Sequence, residues 1–274
     1  MNKILILFIL CICLFLCKNI FIKFKNFYLF DREHFSDTSR TIKLLKENVY
    51  IEYKEAPQLF QTYNEKRKIP KEVIDNIQEY APEYQHNILD DNDCIHFLQK
   101  YFNNKVLNTF NELKMGAHKA DLIRYCLLYI YGGVYIDIKT ELVKPLNTLF
   151  KDPNTLYSVI AHTDDHIYQG IISTPPQNPL FLSLIQYIVD TKNPLAYHFF
   201  CTDFFYQISK DIGNYPVKGL NNGKYQNYYL FSEKCSRTDS SMCYDGFDRY
   251  GFCCFIWDKD EPVIKSRRSS YPWK

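Results

Sequence analysis

The chain predicts an α/β fold built on a central sheet, and three observations carry that expectation. Strand-like and helix-like patterns alternate from Pro57 onward. A long helical pattern over Ala117–Tyr131 is stopped by Gly132-Gly133 and followed at once by a short apolar strand. Hydrophobic residues make up 46% of the 274 and charged residues 23%, a balance that predicts a sizeable packed core.

Each element follows from local chemistry. Gln58–Tyr63 reads as a first strand. Pro70 stands at a helix start, opening Lys71–Ala81 up to the Pro82 break. Tyr84–Leu89 reads as a second strand, and Asp90-Asp91-Asn92-Asp93 supplies cap residues for a helix reaching Tyr101 or Phe102. Within Ala117–Tyr131, Ala120, Ile123, Leu127, Leu128 and Tyr131 recur at helical spacing. Val134–Ile138 is a strand with Val134, Ile136 and Ile138 on one face, leaving Tyr135, Asp137 and Lys139 on the other. Strands over Leu156–Ala161 and Ile167–Ser173 come next, then helices over Asn178–Thr191 and Leu195–Asp211. The last sixty residues are turn-rich, with short strands near Tyr228 and Phe252.

The N-terminus has a different character. Ile4–Cys17 is an unbroken apolar run, extended through Ile22 past Lys18-Asn19, long enough with snorkelling to span a bilayer. Residues 1–25 are expected to be a membrane anchor, 26–56 a stem and 57–274 a single domain. Lys18, Lys23, Lys25 and Arg32 after the span favour a body on the cytoplasmic side, the reverse of a Golgi-type arrangement, so orientation stays open. The formal net charge is +2 with no long basic block in the body, which gives nucleic-acid binding no electrostatic footing. Cys235, Cys243, Cys253 and Cys254 contain no C-x-x-C pair, so disulfides or core thiols are favoured over zinc. No N-x-S/T sequon occurs, which argues mildly against a glycosylated luminal protein.

The chemistry concentrates between Lys119 and Glu141. Asp121 and Arg124 are three apart and share a helix face. On their own they read as a surface ion pair of about 0–1 kcal/mol. Their place just before a Gly-Gly turn and a strand ending in charge changes that reading, because the carboxyl ends of sheet strands are where open α/β sheets bind ligands. His118 reads as structural, Asp164-Asp165-His166 as a turn, and Trp257 and Trp273 as core residues before stacking platforms.

KADLIR, seven intervening residues and GGVYIDIK together resemble the DXD-motif sugar transferases, which include the initiation-specific α-1,6-mannosyltransferases and related capsular and viral enzymes. PQLFQTY resembles that family's first strand, with Tyr63 where Trp is usual, and YQGIISTPPQNPLFLSLI resembles a downstream segment. The resemblance covers Pro57–Ile188. It implies a GT-A fold with a mostly parallel, helix-flanked sheet, a nucleoside-diphosphate-sugar donor, a glycan or polysaccharide acceptor and retention of anomeric configuration. By position it assigns Asp121, Arg124, Asp137, Gln61 and Thr62 to the donor and Gln169 to the donor or acceptor; Tyr135 is a further donor candidate, and Arg124, Asp137 and Lys139 are the candidates for catalysis.

Where the family has the second Asp of D-x-D, a direct ligand of Mn2+ or Mg2+, this chain has Lys139. A protonated Lys cannot coordinate a cation. Three readings follow. Lys139 neutralises the diphosphate itself; or Asp137 holds a metal with Glu141 or Asp258; or catalysis is lost, leaving a membrane protein that binds nucleotide sugars or glycans.

Overall fold

The computed structural model describes residues 44–47, 49–52, 54–162, 166–191, 200, 204, 206–209, 222–237 and 253–266. The expected anchor, most of the stem, Asp164, Asp165, Cys243 and Trp273 lie outside the described residues, as does most of the helix expected over Leu195–Asp211. Among the described residues, no helix is long and apolar enough to cross a membrane.

Among the described residues, ten strands form one sheet: β1 (Gln58–Thr62), β2 (Gln85–Leu89), β3 (Gly133–Ile136), β4 (Thr140–Leu142), β5 (Leu156–Ile160), β6 (Ile167–Thr174), β7 (Gly223–Tyr225), β8 (Tyr228–Ser236), β9 (Cys253–Asp258) and β10 (Glu261–Ser266). The α-helices are α1 (Lys71–Tyr80), α2 (Asp91–Tyr101), α3 (Asn104–Glu112), α4 (Gly116–Tyr131) and α5 (Pro179–Thr191). The strand order is β2-β1-β3-β6-β5-β8-β9-β10-β4, with β7 paired to β8. The expected α/β class holds, but the mostly parallel sheet does not. Among the described strands, parallel pairing is confined to β1 with β2 and β3, and to β5 with β8. The other ladders are antiparallel, because connections as short as Lys259-Asp260 between β9 and β10 permit only a hairpin.

The sheet is curled, and chain connectivity requires it. Five strands separate β3 from β4 in the sheet, whereas only Asp137, Ile138 and Lys139 separate them in sequence. A link of three residues reaches at most about 14 Å, so the β4 end has to bend back to the end of β3. The outer edge of β4 is then covered by α1: the Asn76 amide donates to the Leu142 carbonyl and accepts from the Leu142 N–H, both at 2.9 Å.

Two apolar clusters lie on the two sides of the parallel strands. Phe60 and Tyr135 point to the side packed by α2 to α5, with Leu98, Phe110, Leu127 and Phe181. Leu59, Val134 and Ile136 point the other way, toward Ile77 of α1 and toward Phe231, Ile256 and Ile264 in the curled part. α4 is buried on nearly every face, ten of its residues from His118 to Ile130 being enclosed. Asp90 caps α2 through a reciprocal capping box with Asp93. Cys235 and Cys254 form a disulfide across β8 and β9, and Cys253 is also disulfide-bonded. Cys94 and Cys126 are free and buried.

Gly132 ends α4 at φ 63°, its N–H still bonded to the Leu128 carbonyl at 2.9 Å. Gly133 starts β3 at φ 85°, where an added Cβ would lie 2.4 Å from the Gln58 carbonyl oxygen of β1. Strain at positive φ and this backbone collision act together. Gly133→Ala is therefore expected to destabilise the protein by more than the ~1–3 kcal/mol that positive φ alone costs. Urea unfolding, with Gly116→Ala in open space as the control, checks it.

Candidate active site

β1, β2 and β3 run parallel, so their carboxyl ends share one edge, and the chain passes from one side of β1 to the other between β2 and β3. A ligand crevice forms at such a switch point. Here it is a cleft of about 440 Å³. Thr62, Tyr63 and Asn64 line it from β1, Tyr135, Asp137 and Lys139 from the end of β3, and Lys119, Ala120 and Arg124 from α4. Leu89, Cys94, Phe110 and Ile123 form an apolar part of the wall.

Arg124 is the centre of the arrangement. Only 5% of its side chain is exposed, and its Nε donates to the Ala120 carbonyl at 3.1 Å, one turn back in its own helix. Nη1 donates to the Gln169 carbonyl of β6 at 2.5 Å. Nη2 lies 3.3 Å from Asp121 Oδ1 and 3.3 Å from Asp137 Oδ1. The guanidinium also stacks 4.5 Å from the centre of the Tyr135 ring, whose hydroxyl shares a hydrogen bond of 2.9 Å with Thr62 Oγ1. Asp121 and Arg124 are thus a buried pair, not the surface pair expected from their spacing alone.

Asp137 lies just past β3. Its N–H donates to the Gly170 carbonyl at 2.8 Å, and its carbonyl accepts from the Thr140 N–H at 2.9 Å. That turn, not a continued strand, carries Lys139, and this corrects the strand expected through Ile138. It places the Lys139 ammonium 3.8 Å from Asp137 Oδ2. The gap is too long for a hydrogen bond, so the two meet as charges.

The remaining site residues divide. Thr62 lines the cleft, but neighbouring residues on a strand face opposite sides, and Gln61 faces away with Leu59. Its Oε1 meets His86 Nε2 at 2.8 Å. Gln169 is buried and supports the cleft from behind: its carbonyl holds Arg124, and the Tyr125 hydroxyl donates to its side chain. Glu141 is paired across the ladder with Lys265 of β10. Asp258 accepts from the Tyr229 hydroxyl at 2.5 Å, at the far end of β9. Neither lines the cleft. His118 is buried against Phe200, a structural role, whereas Trp257, expected in the core, is half-buried under Lys234. Sequence reasoning missed Lys119, whose ammonium reaches Asp91 at 2.7 Å on the cleft wall. Its signal was the first letter of KADLIR.

Among the described residues, a single trio of acidic, histidine or cysteine groups converges closely enough to hold a metal: His162, Glu233 and Cys235. The Cys235 sulfur is committed to Cys254, so that trio offers no thiolate.

These features define a class: a crevice with one buried guanidinium and two half-buried ammonium groups at the carboxyl ends of parallel strands, suited to an anionic ligand that carries hydroxyls. Sequence comparison then adds local similarities to known proteins. Residues 70–156 match the family described as glycosyltransferase sugar-binding region containing DXD motif. The initiation-specific alpha-1,6-mannosyltransferase of Saccharomyces cerevisiae is 35% identical over 71 residues, 25% of this chain and 15% of that protein. The mannosyl phosphorylinositol ceramide synthase CSH1 of the same yeast is 28% identical over 142 residues, 49% of this chain and 36% of that one. The chain therefore spans well under half the length of either relative. The PaToxG glycosyltransferase structure aligns with a TM-score of 0.43 at 14% identity, over 58% of this chain and 70% of that chain.

Burial pushes the Asp121 carboxyl up to about 7; Arg124 and Lys139 draw it down, and Asp137 raises it further. The fold thus favours the protonated form, and the stability this contributes is complete below the unfolded carboxylate range and lost as pH rises through about 7. His86, held down to about 4 by burial, acts with the opposite sign, its contribution being lost as pH falls below the unfolded histidine range. Comparison with a variant isolates the first effect. The melting temperature of wild type relative to Asp121→Asn should fall as pH is raised from about 4 to 8. A flat difference in thermal unfolding would contradict this.

Proposed function

We propose that this chain transfers a sugar from a nucleoside-diphosphate-sugar donor to a hydroxyl of a glycan or polysaccharide acceptor. One observation carries the reading: Arg124 is fixed in the wall of a crevice at parallel strand ends, beside Lys139 and Lys119, within the region that matches sugar transferases. A planar guanidinium suits a diphosphate or vicinal hydroxyls.

In the proposed reaction, the bond between the anomeric carbon and the β-phosphate oxygen breaks, and its electron pair leaves with the nucleoside diphosphate. The acceptor oxygen bonds to the anomeric carbon and gives its proton to the departing phosphate. The family resemblance favours retention, which a same-face displacement delivers without a protein nucleophile. Arg124 meets the charge that grows on the phosphate. Asp137 accepts from ribose or sugar hydroxyls, with Thr62 and Tyr135 beside it. Asp121 and Gln169 act through Arg124 by holding its guanidinium.

The Cys235–Cys254 disulfide supports a body in an oxidising compartment, the luminal side for a protein anchored near its N-terminus. That reverses the orientation favoured by the flanking charges. The absence of a second acid at Lys139 favours one other reading, a protein that binds nucleotide sugars without turning them over.

A panel of UDP- and GDP-sugars tests both. Hydrolysis or transfer from at least one donor is expected, with Arg124→Lys lowering kcat/KM by about 10²–10³ while the fold is kept. Binding of a donor without turnover would support the second reading, and no binding of any donor would remove both.

A further inference from the structure

The charge left on a departing diphosphate has to be met by a cation. In many transferases a divalent ion held by carboxylates acts as that Lewis acid. Among the described residues, the groups in this cleft do not fit one. Such an ion takes most of its ligands from the donor phosphates and from water, but it still needs one or two protein carboxylates free to face it. Asp137 is the one acid from the end of β3 to reach the cleft, and each of its oxygens already faces a cation, Arg124 Nη2 at 3.3 Å and Lys139 Nζ at 3.8 Å. The other acid in the wall, Asp91, is paired with Lys119 at 2.7 Å. Glu141 and Asp258, the residues that could have completed a site, do not line the cleft. An ion beside Asp137 would sit between two positive side chains and be repelled by both.

We propose that Lys139, together with Arg124, takes the place of the divalent ion, so that this cleft binds and discharges its donor without metal. The inference rests on the nucleotide-sugar reading and deepens it. The turn from Asp137 to Thr140 makes it workable: it fixes the backbone on either side of Lys139 through the Gly170 carbonyl and the Thr140 N–H. The ammonium is thereby held on the same side as the guanidinium, with Asp137 between them as a shared anchor. The two cations differ in what they offer. Arg124 provides a rigid fork, and Lys139 a compact charge with three donors that can follow the β-phosphate as it leaves.

Titration calorimetry of the full chain with UDP and GDP, in EDTA and then in Mn2+, tests the proposal without depending on turnover. Affinity in EDTA should stay within about twofold of that in Mn2+. Lys139→Ala should weaken binding about tenfold or more under both conditions, and Lys139→Arg should restore most of it. Lys139→Asp should bind measurably only with Mn2+ present. Circular dichroism and melting temperature verify that each variant is folded. A gain of about tenfold or more from Mn2+ in the wild type overturns the inference while leaving the nucleotide-sugar reading intact. Unchanged affinity in folded Lys139→Ala does the same. Failure of the wild type to bind either nucleotide under both conditions overturns both.

Discussion

One buried guanidinium organises this structure. Arg124 sits where an unpaired charge would be strongly unfavourable, so its N–H groups have to find acceptors. They find them on three separate elements: the Ala120 carbonyl of α4, the Gln169 carbonyl of β6 and the carboxylate just past β3. Each contact fixes a piece of the cleft against the others. The Tyr135 ring beneath completes the seat and hands the order on to Thr62. The residue best placed to meet an anionic ligand is thus also the residue that holds the crevice in shape, and loss of activity on its substitution has to be read beside a stability measurement.

The turn that follows β3 has a similar double role. It returns the chain to the far end of a curled sheet, and it holds Asp137 and Lys139 side by side. In an open sheet these three residues could not reach β4 at all. The curl therefore belongs to the geometry of the candidate site as well as to the packing of Phe231, Ile256 and Ile264.

Much of this was legible in the chain. Gly-Gly punctuation, helical periodicity and cap residues located α1, α2, α4 and β3 to within a few residues. The resemblance singled out Asp121, Arg124 and Asp137, which the fold does bring together. What was not legible depends on pairing between distant segments. β4 is three residues long and exists only because β10 lies beside it. β10 itself contains Pro262 and was passed over, and its hairpin with β9 turns much of the expected parallel sheet antiparallel. α3 was missed although Asn103 caps it and Val106 and Phe110 are one turn apart, because no long apolar stripe announces it. Gln61 is a different kind of miss. The period of two in a strand already forbade Gln61 and Thr62 from serving one cleft, and that rule needed no coordinates.

The Gly132-Gly133 joint also explains why spacing, more than composition, carries the signal in this stretch. Arg124 sits eight residues before Gly132, on a helix whose direction the joint locks to β3. An α-helix turns about 100° per residue. One residue inserted between them would swing the guanidinium a quarter turn or more away from Asp137 and into the apolar packing of α4, with every side chain still present. Divergence here should therefore leave substitutions in number while length stays fixed, and the segment can be sought in other chains by counting residues before comparing them.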